Sequence, residues 1–178
     1  MKKTFILIFI TIFICRVTGN AQGKQIDVEA HLKELNIQLI TPSAPVANYV
    51  KAVRVGNLIY LSGHGPDKPG GGLVIGKVGS DLTLEQARDA ARLAGISLLS
   101  TLKAEIGNLN KVKRIVKVFG MVNAIPTFEN QPQVINGCSD LMVEVFGENG
   151  KHARSSVGVA SLPSNIPVEI EMIVELKE

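Results

Sequence analysis

Hydrophobic and polar residues alternate along this chain in two different periods, which divide it into helices and strands. Apolar residues recur every three or four positions from Thr83 to Ile106, and this spacing predicts a long helix. Thr83 and Gln86 fit a capping box at its start. A second helix is predicted over Thr127–Phe146, with Pro132 near its first turn, where its missing N–H does no harm.

Strand patterns occupy most of the remaining chain. Gly56 and Asn57 separate two short apolar runs and tolerate the positive φ of a two-residue hairpin turn. Val112–Val122 predicts a central strand, and the last run alternates cleanly between apolar residues and glutamates. The runs predicted as strands are Tyr49–Val55, Leu58–Ser62, Leu73–Val78, Val112–Val122, Arg154–Ala160 and Pro167–Leu176. This order predicts an α+β domain, with two long helices on one face of a mainly antiparallel sheet.

The amino-terminal residues do not fit that domain. Lys2 and Lys3 precede an apolar run of about 11 residues, which is the length of a signal-peptide core and too short to span a bilayer. We predict a signal peptide over residues 1–21, an extension with a short helix over 22–46, and the domain over 47–178. The protein is then periplasmic or secreted, with no stable membrane anchor after cleavage; an uncleaved anchor is the alternative.

Removal of the signal changes the charge of the chain. The net charge is +3, but three of the 19 basic residues, Lys2, Lys3 and Arg16, lie in the signal, so 16 remain against 16 acidic residues. Basic residues gather at positions 111–117, yet no aromatic side chains lie among them for base stacking, and we expect no nucleic-acid partner. Cys138 is the one cysteine left, His31, His64 and His152 are scattered, and we expect no metal and no cofactor.

Candidate chemistry concentrates near the carboxyl terminus. Arg154 begins a strand whose following residues are small and apolar, and an arginine there suits a two-pronged contact with a carboxylate. Glu169 lies on the polar side of the last strand, which we expect to be adjacent. Taken alone, the two residues are equally compatible with a surface Arg–Glu pair.

Two sequence blocks resemble the RidA (YjgF/YER057c/L-PSP) family. The first runs from Val55 to Gly63 in the predicted hairpin. The second is Ala153-Arg154-Ser155-Ser156-Val157, followed by Leu162-Pro163 and Val168-Glu169-Ile170-Glu171. The resemblance covers the chain from about Ala47 onward. It implies a chorismate-mutase-like α+β domain, a homotrimer with ligand clefts between subunits, and hydrolysis of 2-imino acids or enamines to 2-oxo acids and ammonia.

The same resemblance assigns roles to individual positions. It implies that Arg154 holds the carboxylate of a small imino or oxo acid, that the backbone at Ser156 contacts the imine, and that Glu169 positions or activates water. The residues that it implies line the cleft are Tyr49, Ser62, Gly63 and Asn136.

The chain departs from the family at two places, and these keep other functions open. Ser156 stands where a cysteine is frequent, and His64 follows Gly63 where a glutamine is frequent. His64 is either a proton donor in the cleft or a structural residue near a turn. The alternatives to a deaminase are a non-catalytic trimer that binds a small carboxylate, and an endoribonuclease.

Overall fold

The described part of the chain is a five-stranded sheet covered by helices on one face. The computed structural model describes residues 26–45 and 47–178, and the predicted signal peptide lies outside them. The helices are α1 (Val28–Glu34), α2 (Leu84–Ile106) and α3 (Gln131–Phe146). The strands are β1 (Ala52–Val55), β2 (Leu58–His64), β3 (Val112–Asn123), β4 (Ala153–Val159) and β5 (Val168–Leu176). The predicted α+β class is therefore confirmed. None of the helices in these ranges is long and apolar enough to cross a membrane.

The strand order is β1-β2-β5-β3-β4. Three of the four pairings are antiparallel, and β3 pairs with β4 in parallel. The parallel pair arises because α3 carries the chain back over the sheet between β3 and β4. The expectation that the last two strands are adjacent is wrong, since β3 lies between them. It is also β5, rather than β3, that takes the middle position of the sheet.

Residues near the amino-terminal ends of α2 and α3 determine where these helices begin. The predicted capping box is present, since the Thr83 side chain accepts from the Gln86 amide and the Gln86 side chain accepts from the Thr83 amide. The second helix begins at Gln131, later than Thr127. Pro132 explains the difference, because a proline fits the first turn of a helix but would break the interior of one that began at Thr127.

The predicted strand over 73–78 is not formed. Only isolated bridges occur there, between Asp67 and Leu73 and from Val78 to two partners. Gly76 interrupts the run at φ +130°, a backbone conformation that is not that of a strand. The segment instead crosses the end of the sheet as a loop.

The extension before the hairpin packs against the domain. The α1 amide of Val28 donates to Asn110 Oδ1 at 2.7 Å, and Glu29 pairs with Lys103 of α2. Val28 and Leu32 are buried in the common core. These contacts tie α1 to the far end of α2.

The two long helices approach each other through a glycine. A Cβ on Gly137 of α3 would lie 2.9 Å from the carbonyl carbon of Arg88 in α2, closer than real Cβ atoms come. The obstacle is backbone, so it cannot swing aside as a flexible side chain would. Small buried residues also recur along α2: Ala87, Ala90, Ala91 and Ala94.

Gly137→Ala is expected to destabilise the protein by about 1–3 kcal/mol, because the added methyl overpacks a contact between two helix backbones. Urea denaturation followed by circular dichroism measures this change. Val143→Ala on the exposed side of the same helix is the control and should change stability little. Equal effects of the two variants would contradict the close approach.

Candidate functional site

Arg154 lies on the helix-covered face of the sheet, at the edge strand β4. It is paired in register with the buried Val118 of β3, and paired residues share a face. Its Nη1 donates to Asn136 Oδ1 at 2.8 Å and to Ser139 Oγ at 3.0 Å, both on α3. The guanidinium is therefore held by a helix and is only partly exposed.

Ser156 lies on the same face, two residues further along β4. It lies opposite Gly120 of β3. Its Oγ is buried and has no hydrogen-bond partner among the residues that the structure describes. An unpartnered buried hydroxyl costs about 1–3 kcal/mol, so it marks a place where a further polar group would be stabilising.

Glu169 lies on the opposite, uncovered face. It is paired with Met121 of β3. Met121 points to the other face of the sheet from Val118 and Gly120, which are paired with Arg154 and Ser156. A Cβ on Gly63 would lie 2.7 Å from Glu169 Cδ, so only glycine leaves room for the carboxyl group there. Burial, and secondly the neighbouring Glu171, raise the pKa of Glu169 above its usual value.

A β-bulge places Ser62 and Gly63 beside Glu169. Leu61 pairs with Met172 and His64 pairs with Ile170, so β2 has one residue more than β5 in this interval. The His64 imidazole points into the core, where its Nδ1 donates to the Ser62 carbonyl at 2.7 Å and its Nε2 accepts from the Thr101 hydroxyl at 2.8 Å. Of the two interpretations of His64, the structure favours the structural one.

A groove of about 530 Å³ opens on the uncovered face next to this bulge. Its polar groups come from Ser62, Lys117 and Glu171, and Tyr60 and Phe119 supply aromatic walls. The Ser62 hydroxyl is buried and, like that of Ser156, lacks a hydrogen-bond partner within the described residues.

The candidate residues thus form two separate groups within one chain. Arg154 and Ser156 lie beneath α3, which carries Asn136, whereas Glu169, Ser62 and Gly63 lie on the other side of the sheet. Arg154 and Glu169 cannot be a surface ion pair, because β3 separates their strands and their side chains leave opposite faces. A seventh residue, Tyr49, precedes β1, is 45% exposed, and has no described hydrogen bond to either group.

Sequence reasoning missed two residues that support Arg154. Ser139 lies three positions after Asn136, a spacing that puts both on one helix face. His152 lies two positions before Arg154, just ahead of β4, and its Nε2 is 3.0 Å from Ser139 Oγ. Both spacings were visible in the sequence, but nothing there indicated that α3 covers β4.

Two of the four basic residues at positions 111–117 are engaged by the protein itself. Lys113 pairs with Glu175 at 2.8 Å, and Lys111 donates to the Ile106 carbonyl at 2.8 Å. Lys117 instead borders the groove. Across 26–45 and 47–178, no cluster of three or more histidine, cysteine or acidic residues is arranged to hold a metal ion.

Similarity to known proteins agrees with this architecture. Residues 29–176 match the family model described as "YjgF/chorismate_mutase-like, putative endoribonuclease". The chain belongs to the YjgF/RidA family. The match includes all five strands and both long helices.

Relatives within the family carry different descriptions. Protein TCP17 of Trypanosoma cruzi is 43% identical, over 84% of this chain and 94% of its own length. A 2-iminobutanoate/2-iminopropanoate deaminase of Dermatophagoides farinae is 34% identical, over 77% of this chain and 94% of its own. The crystal structure of a "putative endoribonuclease" from Shewanella oneidensis MR-1 superposes with a TM-score of 0.81 at 30% identity, covering 85% of this chain and all of the other.

His64 makes the stability of this family member depend on pH. Burial lowers the pKa of His64 in the folded chain, so as pH falls the unfolded chain takes up the proton first. Its contribution is complete above the ordinary histidine value near 6.5 and is lost as pH falls toward the folded value. His64→Gln should reduce the slope of unfolding free energy against pH between about 7 and 5.

Urea titrations across that pH range measure this slope. Thr101→Val removes the hydroxyl that donates to His64 but keeps the buried imidazole, so this control should lose stability and keep most of the slope. Burial also lowers the pKa of His152, and the slope remaining in His64→Gln includes that residue. An unchanged slope in His64→Gln would show that His64 does not titrate on unfolding.

Proposed function

We propose that this protein hydrolyses 2-imino acids, or their enamine tautomers, to 2-oxo acids and ammonia. The observation that carries the proposal is Arg154, whose guanidinium is fixed at the edge of the sheet with donors to spare. A relative at 34% identity that is named as a 2-iminobutanoate/2-iminopropanoate deaminase supports the same reaction.

The free donors of Arg154 suit a carboxylate. An arginine has five N–H groups, and Nη1 uses its two on Asn136 and Ser139. The described residues provide no partner for Nε and Nη2, which together form one straight edge of the guanidinium. That edge matches the two oxygens of a carboxylate in a bidentate contact. In this proposal Asn136 acts by holding Arg154 in place.

Glu169 is the proposed base. A carboxylate with a raised pKa accepts a proton more readily than an ordinary one, and burial raises the pKa of Glu169. It deprotonates a water whose oxygen forms a bond to the imine carbon, giving a tetrahedral aminoalcohol. Proton transfer to nitrogen and cleavage of the C–N bond then release ammonia and leave the 2-oxo acid. The Ser156 backbone contacts the imine, and Tyr49, Ser62 and Gly63 border the cleft.

The proposed site is shared between copies of the chain. Arg154 and Glu169 lie on opposite faces of one sheet, so the edge beneath α3 of one copy must meet the uncovered face of another. Exposed apolar residues on or beside that face are consistent with such a contact, among them Val50, Val53 and Tyr60. A head-to-tail contact forms a closed ring when its rotation returns to the first copy, and we propose a homotrimer of this kind that is exported behind residues 1–21.

Arg154→Ala is expected to lower kcat/KM for 2-iminopropanoate by about 100-fold or more, mainly through KM, because it removes two charge-assisted hydrogen bonds to the carboxylate. Glu169→Gln should instead lower kcat, by about 100-fold or more. Ammonia release from imine generated in situ by an amino-acid oxidase measures both. Lys113→Ala, on the exposed start of β3, is the control.

Two other outcomes would favour the alternative functions. Carboxylate binding without turnover in the wild type would favour the binding module. RNA cleavage that is lost in Arg154→Ala and Glu169→Gln would favour the endoribonuclease.

Mixing the two impaired variants tests whether the site is shared. Arg154→Ala retains Glu169, and Glu169→Gln retains Arg154, so co-expressed copies would rebuild intact sites where they meet. In an equal random mixture about a quarter of the sites would be intact. Recovery of activity to roughly that level supports the shared site, and no recovery from co-purified mixed assemblies would place the whole site within one chain.

A further inference from the structure

Arg154 is supported by a hydroxyl that is itself oriented by another residue. Arg154 Nη1 donates to Ser139 Oγ at 3.0 Å, and since an arginine has no acceptor, the Ser139 oxygen must accept. The single hydrogen of Ser139 is then free to point elsewhere. His152 Nε2 lies 3.0 Å from the same oxygen and can receive it.

The other ring nitrogen of His152 fixes the direction of this chain of bonds. His152 Nδ1 is 2.6 Å from the carbonyl oxygen of Gly150, which can only accept. Nδ1 therefore carries the ring hydrogen, and Nε2 has a free lone pair that accepts from Ser139. The bonds run in one direction, from Arg154 to the Ser139 oxygen, then from Ser139 to His152, and from His152 to the backbone.

We infer that His152 is a positioning residue for Arg154, which it acts on through the Ser139 hydroxyl. The inference rests on the proposed function for what Arg154 binds. With its hydrogen bound to His152, Ser139 turns its lone pairs toward the guanidinium. Without that acceptor, the hydroxyl can rotate to the carbonyl one helical turn earlier, as serines in helices do, and Arg154 keeps only Asn136.

The surroundings of His152 favour the neutral ring that this role needs. Burial is the largest influence and lowers the pKa of His152; the bond to Gly150 raises it, and the charge of Arg154 lowers it. Lys151, the residue before His152, is paired with Glu148. On α3, burial raises the pKa of the Cys138 thiol to about 12, so Cys138 stays uncharged.

The neighbouring acid on α3 is also engaged elsewhere. Asp140 pairs with Arg88 of α2 at 2.7 Å. On β3, Lys117 lies in the row of Ala153 and borders the groove on the other face of the sheet. Arg154 is thus the charged group with which His152 interacts through Ser139.

The test is a double-mutant cycle on carboxylate affinity, with 2-oxopropanoate as the probe and calorimetry as the measurement. His152→Phe and Ser139→Ala should each weaken binding roughly fivefold, the effect of one net hydrogen bond. The double variant should bind little worse than either single variant, because both remove the same support. His152→Phe combined with Asn136→Ala should instead weaken binding by the product of the two effects, since Asn136 holds Arg154 independently.

Two further readouts separate positioning from general damage. His152→Gln retains an acceptor and should restore most of the affinity. With 2-iminopropanoate, His152→Phe should raise KM by a similar factor and leave kcat nearly unchanged, whereas loss of folding would lower the active fraction and hence kcat. If His152→Phe does not fold, Ser139→Ala and His152→Gln carry the test.

The outcomes distinguish this inference from the proposed function. Wild type that binds 2-oxopropanoate in an Arg154-dependent way, with His152→Phe and Ser139→Ala binding equally well, overturns the positioning role alone. Full additivity of His152→Phe and Ser139→Ala also overturns it. Wild type that neither binds 2-oxopropanoate nor turns over the imine overturns both.

Discussion

The close approach of α3 to α2 and to the sheet is the constraint on which the rest of the structure depends. Gly137 lets the α3 backbone lie against the Arg88 carbonyl of α2. On β3, Gly120 leaves room for the side chain of Ile135, which comes from α3. At this distance the polar face of α3 reaches over the edge strand. Asn136 and Ser139 then meet Arg154. The packing of α3 on the core therefore also determines where the proposed anchor, Arg154, is held.

The order of the strands divides the candidate site. The crossover through α3 makes β4 an edge strand beside β3, and β5 pairs on the other side of β3. Alternation along β4 sends Arg154 and Ser156 toward the helices, while alternation along β5 sends Glu169 away from them. Because the two groups lie on opposite faces of the sheet, they do not share one patch that could pair with its own copy, whereas a head-to-tail contact joins two different patches. This is why we propose a ring of copies.

The structural features that depend on residues close together in the chain could be predicted from the sequence. The hairpin around Gly56, the capping box at Thr83 and the alternation of β5 are each set by residues within a few positions of one another, and the structure confirms all three. The neighbours of β5 depend on pairing between distant segments, which no local period records. For the same reason Arg154 and Glu169 were recognised as candidates, but their separation on opposite faces was not expected.

Support from a helix also determines how the proposed anchor would select ligands. Arg154 has four rotatable torsions, and fixing such a side chain costs up to about 2 kcal/mol of conformational entropy. Here the Arg154 side chain is already ordered when the protein folds, so the entropy cost of fixing it does not weaken ligand binding. The anchor is preorganised and attached to a regular element. Discrimination between small acids would therefore come from the fixed space beyond the carboxylate, and ligands that fit it would dock almost as rigid bodies.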